Sequence, residues 1–379
     1  MNLTLDDEQQ ILKDGAHEFF KERSPVSAFR ALRDARAPLG YDPAVWAEMA
    51  ALGWAGILIP EDLGGAGFGY KGFGQVMEEA GRTLVASPLA STALIAAPLL
   101  LATADAARKE ALLPAIAHGE LVIALALDEA PRHAPERIAT RATKSARGYV
   151  LNGCKTLVVD GHVAQSFIVV ARTAGDPQGA DGLSLFLVDA ATPGVTVTRT
   201  HMVDSRNAAQ VSFSDVALSA DALLGAEGAA HAPLTRVLDG ARACLAAEML
   251  GGAQEAFERT IAYLKMRKQF GVVIGSFQAL KHRAAHMFCE LELTRSAVQG
   301  ALDALDRDDA EAPLLASLAK AKACDTFELI SAEAVQMHGG IGMTDAEEIG
   351  LFLKRARVAQ QWLGDASFHR DRYAMLRGF

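Results

Sequence analysis

Two short segments in the last third of the chain contain the residue types best suited to binding chemistry. Arg267 lies in an Arg-Lys-Gln-Phe-Gly run, and its planar guanidinium can bind two phosphate oxygens at once. Gly339 and Gly340 follow Gln336, and residues without side chains let a ligand approach the backbone closely. Both segments also have simpler interpretations, because an arginine in such a run is usually solvated and a Gly-Gly pair often only ends a helix.

The other reactive residues form no recognisable cluster. No histidine, cysteine or carboxylate group has the spacing of metal ligands, so we expect no metal site. His338 is interpreted as a structural, backbone-bonded histidine rather than a catalytic one. The cysteines are scattered without a CxxC pair, which is typical of reduced thiols in a cytoplasmic protein. They are Cys154, Cys244, Cys289 and Cys324.

Composition excludes further classes of protein. The net charge of −9 argues against a nucleic-acid-binding role, which needs a basic surface. No apolar run approaches the ~20 residues of a membrane helix, and the acidic N-terminus lacks the profile of a secretory signal. We therefore expect a cytoplasmic protein that binds small molecules and neither nucleic acid nor a membrane.

The candidate residues must be positioned by a chain of 379 residues, which is long enough for two or three domains. Residues 1–118 show helical periodicity, and residues 119–220 contain short β-branched runs typical of an antiparallel β domain. Residues 221–379 return to helical periodicity, with one helix of roughly 45 Å after Gly275, as in a four-helix bundle. The predicted class is α+β, with a helical domain, a β domain and a helical-bundle domain in that order.

This three-part order and three motifs resemble the acyl-CoA dehydrogenase family. The motifs are a turn within residues 52–67, the run 263–271 followed by Phe277-Gln278, and the loop 336–344. The resemblance covers essentially the whole chain. It implies an FAD-dependent oxidoreductase of fatty acid metabolism that dehydrogenates the CH–CH bond next to an acyl-CoA thioester. It also implies a homo- or heterotetramer with another acyl-CoA dehydrogenase chain, and an electron-transfer flavoprotein as electron acceptor.

The resemblance assigns the two binding segments to FAD. Arg267 is expected to reach the pyrophosphate of an FAD held by a neighbouring subunit, with Phe270 on the adenine side. Plain core packing is the alternative role for Phe270. Further side-chain and backbone amides are expected to contact the same dinucleotide. They belong to Gln269, Gln278, Gln336, Gly339 and Gly340.

The catalytic base of typical family members is not recognisable. Those enzymes use a glutamate to remove the α-proton while the hydride moves to the flavin. The aligned residue is Leu363, which cannot accept a proton. Some members place the base directly before the arginine that aligns with Arg242, and here that residue is Ala241. Asp365 is the nearest substitute but has a shorter side chain, and Glu248 is interpreted as a buried glutamate satisfied by a partner.

The β domain also departs from the family pattern. Residues 128–136 replace the segment with which the family holds flavin and acyl-CoA, and residues 157–161 replace its Trp-Ile-Thr-Asn-Gly beside the flavin ring. An aromatic wall and a hydroxyl donor thus give way to aliphatic side chains. The residues used within one subunit are altered, whereas those lent to a neighbour are intact.

This asymmetry predicts the auxiliary subunit of a heteromeric dehydrogenase whose base belongs to a partner chain. The two-subunit relatives expected are those that act on dicarboxylyl-, steroid-side-chain- or other bulky acyl-CoAs. A homomeric dehydrogenase with an unusual base and a catalytically inactive flavin- or acyl-CoA-binding scaffold subunit are the alternatives. A DNA-associated repair role is disfavoured by the acidic balance of the chain.

Overall fold

The computed structural model describes residues 3–379, and the chain divides into two compact units. The helical unit contains Met1–Asp34, Tyr70–Val85 and Arg242–Phe379, and the β unit contains Ala35–Gly69 and Ala86–Ala241. Both units are discontinuous in sequence, whereas the three predicted domains follow one another along the chain. That three-domain partition stays a prediction.

The elements follow the predicted order of helices, then strands, then helices, which confirms the α+β class. The α-helices are α1 (Asp7–Arg23), α2 (Val26–Asp34), α3 (Pro43–Ala51), α4 (Gly69–Arg82), α5 (Ala97–Thr103), α6 (Ala106–Ala117), α7 (His231–Met266), α8 (Gln278–Asp306), α9 (Ala312–His338), α10 (Ile349–Gln361) and α11 (Ala366–Leu376). The strands are β1 (Ile123–Ala126), β2 (Arg141–Ser145), β3 (Gly148–Val159), β4 (Ser166–Arg172), β5 (Leu183–Asp189), β6 (Val195–His201), β7 (Asn207–Ser219), β8 (Leu223–Leu224), β9 (Lys268–Gln269) and β10 (Val272–Val273). A π-helical stretch, Leu89–Ala96, precedes α5.

The helical unit is built on long helices. The 29 residues of α8 span ~44 Å at 1.5 Å per residue, close to the length expected from the sequence. One face of α8 buries Met287, Leu291 and Leu302. Phe288, which the periodicity places on the same face, is 54% exposed, because it lies at the edge of the buried stripe, where its ring contacts Phe257.

The β unit contains an eight-stranded sheet in the order β6-β7-β3-β2-β4-β5-β8, with β1 beside β4. Most neighbouring strands are antiparallel, as predicted, but β1 runs parallel to β4, and Arg141 of β2 pairs in parallel with Arg172 of β4. The sheet is mixed because the chain leaves β1, forms the β2–β3 hairpin and re-enters β4 in the direction of β1. No helix within residues 3–379 is long and apolar enough to cross a lipid bilayer.

Candidate cofactor-binding site

Arg267 lies where α7 gives way to a tight β-ribbon. Its amide closes the end of the helix on the carbonyl oxygen of Tyr263 at 2.8 Å, and its own carbonyl accepts from the Ile274 amide at 2.8 Å. The ribbon turns at Phe270 and Gly271, whose φ angles of 53° and 80° are both left-handed, as in a type I′ hairpin turn. The guanidinium of Arg267 is therefore presented from a backbone that is fixed on both sides.

The ribbon projects its tip into solvent. Phe270 is 92% exposed, so the alternative of plain core packing within this chain is wrong. Its ring meets Phe277 edge to face at 6.2 Å between centroids. Gln269 is exposed on β9, and Gln278 is exposed as the first residue of α8. The structure thus gathers Arg267 and these residues on one exposed turn.

The glycine pair begins directly after α9. Gly339 has a φ of 66°, and Gly340 continues into a 3-10 turn that ends at Met343. Both glycines and Gln336 are exposed. A Cβ atom placed on either glycine would meet nothing within 4 Å, so the backbone is open to a ligand.

The buried side chain of His338 connects the ribbon after Arg267 with the glycine pair. The His338 ring stacks on Tyr263 at 4.4 Å between centroids, and the Tyr263 hydroxyl donates to the His338 carbonyl at 3.3 Å. The His338 Nδ1 atom lies 2.7 Å from the carbonyl oxygen of Ala334. His338 is therefore structural, as interpreted from the sequence. Because Tyr263 precedes Arg267 by one helical turn, the contact places the ribbon beside the glycine pair.

These features fit a dinucleotide cofactor. The exposed guanidinium of Arg267 suits a pyrophosphate, the open backbone at Gly339 and Gly340 suits close approach of a ligand, and the exposed Phe270 ring suits a flat base.

Within residues 3–379 no group of three or more histidine, cysteine or acidic side chains is arranged to hold a metal ion.

At the aligned base position the side chain is buried and apolar. Leu363 is 2% exposed, with a left-handed φ of 61°. Its carbonyl oxygen lies 3.4 Å from Arg242 Nε and 3.0 Å from His369 Nε2. The next carbonyl, of Gly364, accepts from the buried Lys320 Nζ at 2.9 Å. The turn at which the resemblance implies a base is thus held by three hydrogen bonds, but Leu363 presents no carboxylate there.

The neighbouring titratable groups serve structure. Burial, together with the positive charges of Lys320 and Arg242, lowers the pKa of His369 to about 2, so its ring is neutral at ordinary pH. Asp365 caps α11 by accepting the Phe368 amide at 2.8 Å. Its role as a substitute base stays a prediction.

Glu248 lies in a buried ion pair with Arg355. The guanidinium donates to both carboxylate oxygens, at 3.0 and 3.1 Å, and both side chains are nearly inaccessible to water. Both oxygens of the Glu248 carboxylate are therefore occupied by the Arg355 guanidinium. This agrees with the interpretation of Glu248 as a glutamate satisfied by a partner. Ala241, at the second family position, is a fully buried residue of α7.

In the β unit, the strand beside the expected flavin ring keeps a bulge. The pairing of β3 with β7 shifts register between Lys155 and Val158. Within the shift, Leu157 has a φ of 51° and is 36% exposed, whereas Val158 is buried. Bulges re-aim side chains near functional sites. The backbone therefore presents the residue at position 157 outward, but as an aliphatic side chain.

Residues 128–136 are held by buried charges that the sequence interpretation missed. Glu129 accepts from the amides of Ala139 and Thr140 at 2.6 and 2.9 Å and lies 2.7 Å from Lys155 Nζ. Burial alone would raise the pKa of the Glu129 carboxyl, but the ion pair and the amide hydrogen bonds outweigh it and lower the pKa. Residues 128–136 depart from the family pattern in sequence, but hydrogen bonds and an ion pair of Glu129 hold the segment in place.

Two further side-chain contacts secure the same segment. His133 Nδ1 lies 3.0 Å from the Asp128 carboxylate. Arg172, which is buried, donates to the carbonyl oxygens of Glu136 and Ile138 at 3.0 Å each. A basic residue within an apolar β4 strand was the only signal in the sequence that could have suggested this role.

Comparisons with known proteins identify the class. The acyl-CoA dehydrogenase N-terminal, middle and C-terminal domain models match residues 6–120, 132–216 and 223–376. The chain belongs to the acyl-CoA dehydrogenase family. It is accordingly an FAD-dependent oxidoreductase that acts on acyl-CoA.

Three relatives illustrate the range of similarity. Acyl-CoA dehydrogenase FadE12 of Mycobacterium tuberculosis (strain H37Rv) is 34% identical over 326 residues, 83% of each chain. A structure of the Tcur3481-Tcur3483 steroid ACAD has a TM-score of 0.87 at 30% identity, covering 99% of both chains. Butyryl-CoA dehydrogenase from Megasphaera elsdenii has a TM-score of 0.90 at 26% identity and full coverage of both chains.

Proposed function

We propose that this chain is one subunit of a heteromeric acyl-CoA dehydrogenase, in which a different chain supplies the catalytic base. The observation that carries the proposal is the contrast within the helical unit. Leu363 is buried where relatives have the base, and Glu248 is committed to Arg355, while Arg267, Phe270 and the glycine pair are exposed.

In this scheme the residues of this chain bind and orient and do not move the α-proton. FAD, when bound, would supply the hydride acceptor for the β-carbon of the acyl group. Arg267 would hold the pyrophosphate with a two-point contact, and Phe270 would cover the adenine. Gln269, Gln278 and Gln336 would add amide hydrogen bonds, and the backbone of Gly339 and Gly340 would bind the dinucleotide.

The steroid ACAD structure at 30% identity bears two protein names, Tcur3481 and Tcur3483, and this supports an assembly of two different chains. A bulky acyl-CoA is the substrate class that we favour for the same reason. The second candidate is a scaffold subunit that binds flavin or acyl-CoA without taking part in turnover, and the bulge that presents Leu157 without an aromatic ring favours it.

The role of Arg267 is tested with Arg267→Ala in the purified assembly. We expect the FAD content to fall at least tenfold after gel filtration, because one charge-assisted two-point contact contributes roughly 1.5–3 kcal/mol. Arg147→Ala, which removes an exposed arginine at the β2–β3 turn, is the matched control and should keep full FAD content. Unchanged FAD content in Arg267→Ala would show that the phosphate contact is wrong.

A further inference from the structure

The segment of residues 339–345, which begins with the glycine pair, is bound to α2 by a two-point ion pair. Arg33 donates from Nη1 and Nη2 to the two carboxylate oxygens of Asp345, at 2.6 Å each. Arg30, one turn earlier in α2, donates to the Asp345 carbonyl oxygen and lies 3.3 Å from its carboxylate. A planar guanidinium with two parallel hydrogen bonds fixes orientation as well as distance. The contact also lowers the pKa of the Asp345 carboxyl.

A second arginine holds the next part of the chain. Arg259 of α7 donates to Glu348, directly before α10, at 2.8 Å. Arg30 Nε lies 3.9 Å from the same carboxylate, so α2 and α7 share it. Arg259 also packs over the Phe352 ring at 5.5 Å. The residues directly after the segment therefore have a fixed position relative to α7, which ends just before Arg267.

Between its two ends the segment packs through Gly342, which is buried against Val335 and His338 of α9, and its other residues are exposed. His338 anchors the start through Tyr263, and Asp345 anchors the end through α2. The intervening residues include the open glycine pair, and Met343 is 79% exposed. Few buried contacts leave a segment free to open locally unless its ends are fixed. The conformation of residues 339–344 thus depends on the anchors.

We propose that Arg30 and Arg33 are positioning residues for FAD, which hold Asp345 so that the backbone of Gly339 and Gly340 is already shaped for the dinucleotide. A backbone held in its binding conformation loses less conformational freedom when the ligand binds. The inference rests on the proposed cofactor role of the glycine pair. It adds that helix α2, which is distant in sequence from every cofactor motif, sets the affinity of the site.

The test compares Arg33→Ala and Asp345→Asn with the unmodified chain in the full assembly. An exposed ion pair contributes little on its own, so FAD is expected to bind roughly three- to fivefold more weakly in each variant. The double variant should bind FAD no more weakly than either single variant, because the two residues act through one contact. Arg33→Lys keeps the charge without the planar fork and should recover only part of the affinity.

A second readout separates positioning from general stability. Hydrogen exchange of the amides in residues 339–345, measured without FAD, should speed up in Arg33→Ala while the melting temperature changes little. The matched control is Arg370→Ala, which breaks an exposed ion pair with Asp325 elsewhere in the helical unit and should change neither quantity.

Two results would overturn the proposal. Unchanged FAD affinity in both single variants would show that the ion pair does not act on the site, and faster exchange without weaker FAD binding would limit it to local stability. Neither result depends on which chain carries the base. If the lone chain proves to bind FAD and to dehydrogenate acyl-CoA, the proposed heteromer fails, and the same affinities measured on the lone chain still decide the role of α2.

Discussion

Leu363 has a backbone conformation that a leucine adopts only at a cost. A left-handed φ of 61° disfavours a branched side chain by about 1–2 kcal/mol. The surrounding structure offsets this cost, since Arg242 and His369 bind the Leu363 carbonyl and Lys320 binds the next one. These hydrogen bonds therefore hold the turn in this conformation, although the Leu363 side chain cannot accept a proton.

Asp365 supplies the first test at this scale. In Asp365→Asn the amide oxygen can still accept the Phe368 amide, so the cap of α11 is retained and the unfolding free energy should change by less than about 0.5 kcal/mol. We expect the turnover of the assembly to stay within about twofold of the unmodified enzyme, measured by flavin bleaching with acyl-CoA. A loss greater than a hundredfold with an intact fold would identify Asp365 as the base.

The sequence alone shows a leucine, Leu363, where the resemblance implies a catalytic base. It did not predict the contacts that hold the turn. Lys320 and Gly364 are far apart along the chain, and so are Arg33 and Asp345. Ion pairs and hydrogen bonds between such residues follow from the packing of whole helices, which local periodicity does not determine.

At the scale of elements, the β9–β10 ribbon uses an unusual residue in its turn. Type I′ turns favour Asn-Gly, because asparagine tolerates a left-handed φ, whereas this ribbon has Phe270-Gly271. A strained, almost fully exposed aromatic ring at a tight turn indicates a requirement other than the stability of the isolated chain.

The substitution Phe270→Asn distinguishes the stability of the turn from a role of the ring in FAD binding. It should stabilise the lone chain by up to about 1 kcal/mol through a better turn, measured by chemical denaturation. It should also weaken the retention of FAD by the assembly, because the aromatic surface is lost. FAD retention equal to that of the unmodified assembly would contradict the adenine contact, whatever the change in stability.

The β elements show where periodicity succeeds and fails. The β-branched run at residues 166–172 predicts a strand, and β4 covers the same residues, six of which are buried. The same pattern does not mark β2, in which Ala142 is the only buried residue, or β8, which has two residues. The parallel pairing of β1 with β4 depends on the path of the chain and has no local signal.

The ionisation of Lys155 in β3, which pairs with Glu129, is expected to make the unfolding free energy depend on pH. Burial lowers the Lys155 pKa from 10.5 to about 8, although Glu129 opposes the shift. Between pH 8 and 10.5 the unfolded chain therefore holds a proton that the folded chain has released, so the unfolding free energy rises with pH in this window. The rise amounts to at most about 3 kcal/mol.

The comparison is made with Lys155→Met. This variant leaves Glu129 without its ion pair and should be less stable at every pH, but it should lack the rise between pH 8 and 10.5. Denaturation curves at four pH values in that window measure the slope of both proteins. Equal slopes would show that Lys155 is not the group that titrates.

At the scale of the whole molecule, charge is distributed unevenly. The chain has a net charge of −9, yet the stretch between Glu258 and Glu290, which includes Arg267, contains no acidic residue. An acid-free basic stretch beside an open glycine backbone is suited to an anionic cofactor. The side chains that would complete a reaction are absent from the aligned base positions of the same chain. The central claim of the proposed function is that this chain binds the cofactor but carries no catalytic base itself.

Expression of the chain alone and together with a dehydrogenase chain encoded beside it tests that claim most directly. The measured quantities are the FAD content per chain and the bleaching of flavin absorbance after acyl-CoA is added. We expect substoichiometric FAD and no rapid bleaching from the lone chain, and stoichiometric FAD with rapid bleaching from the co-expressed assembly. Full FAD occupancy and rapid bleaching by the lone chain would contradict the heteromeric account.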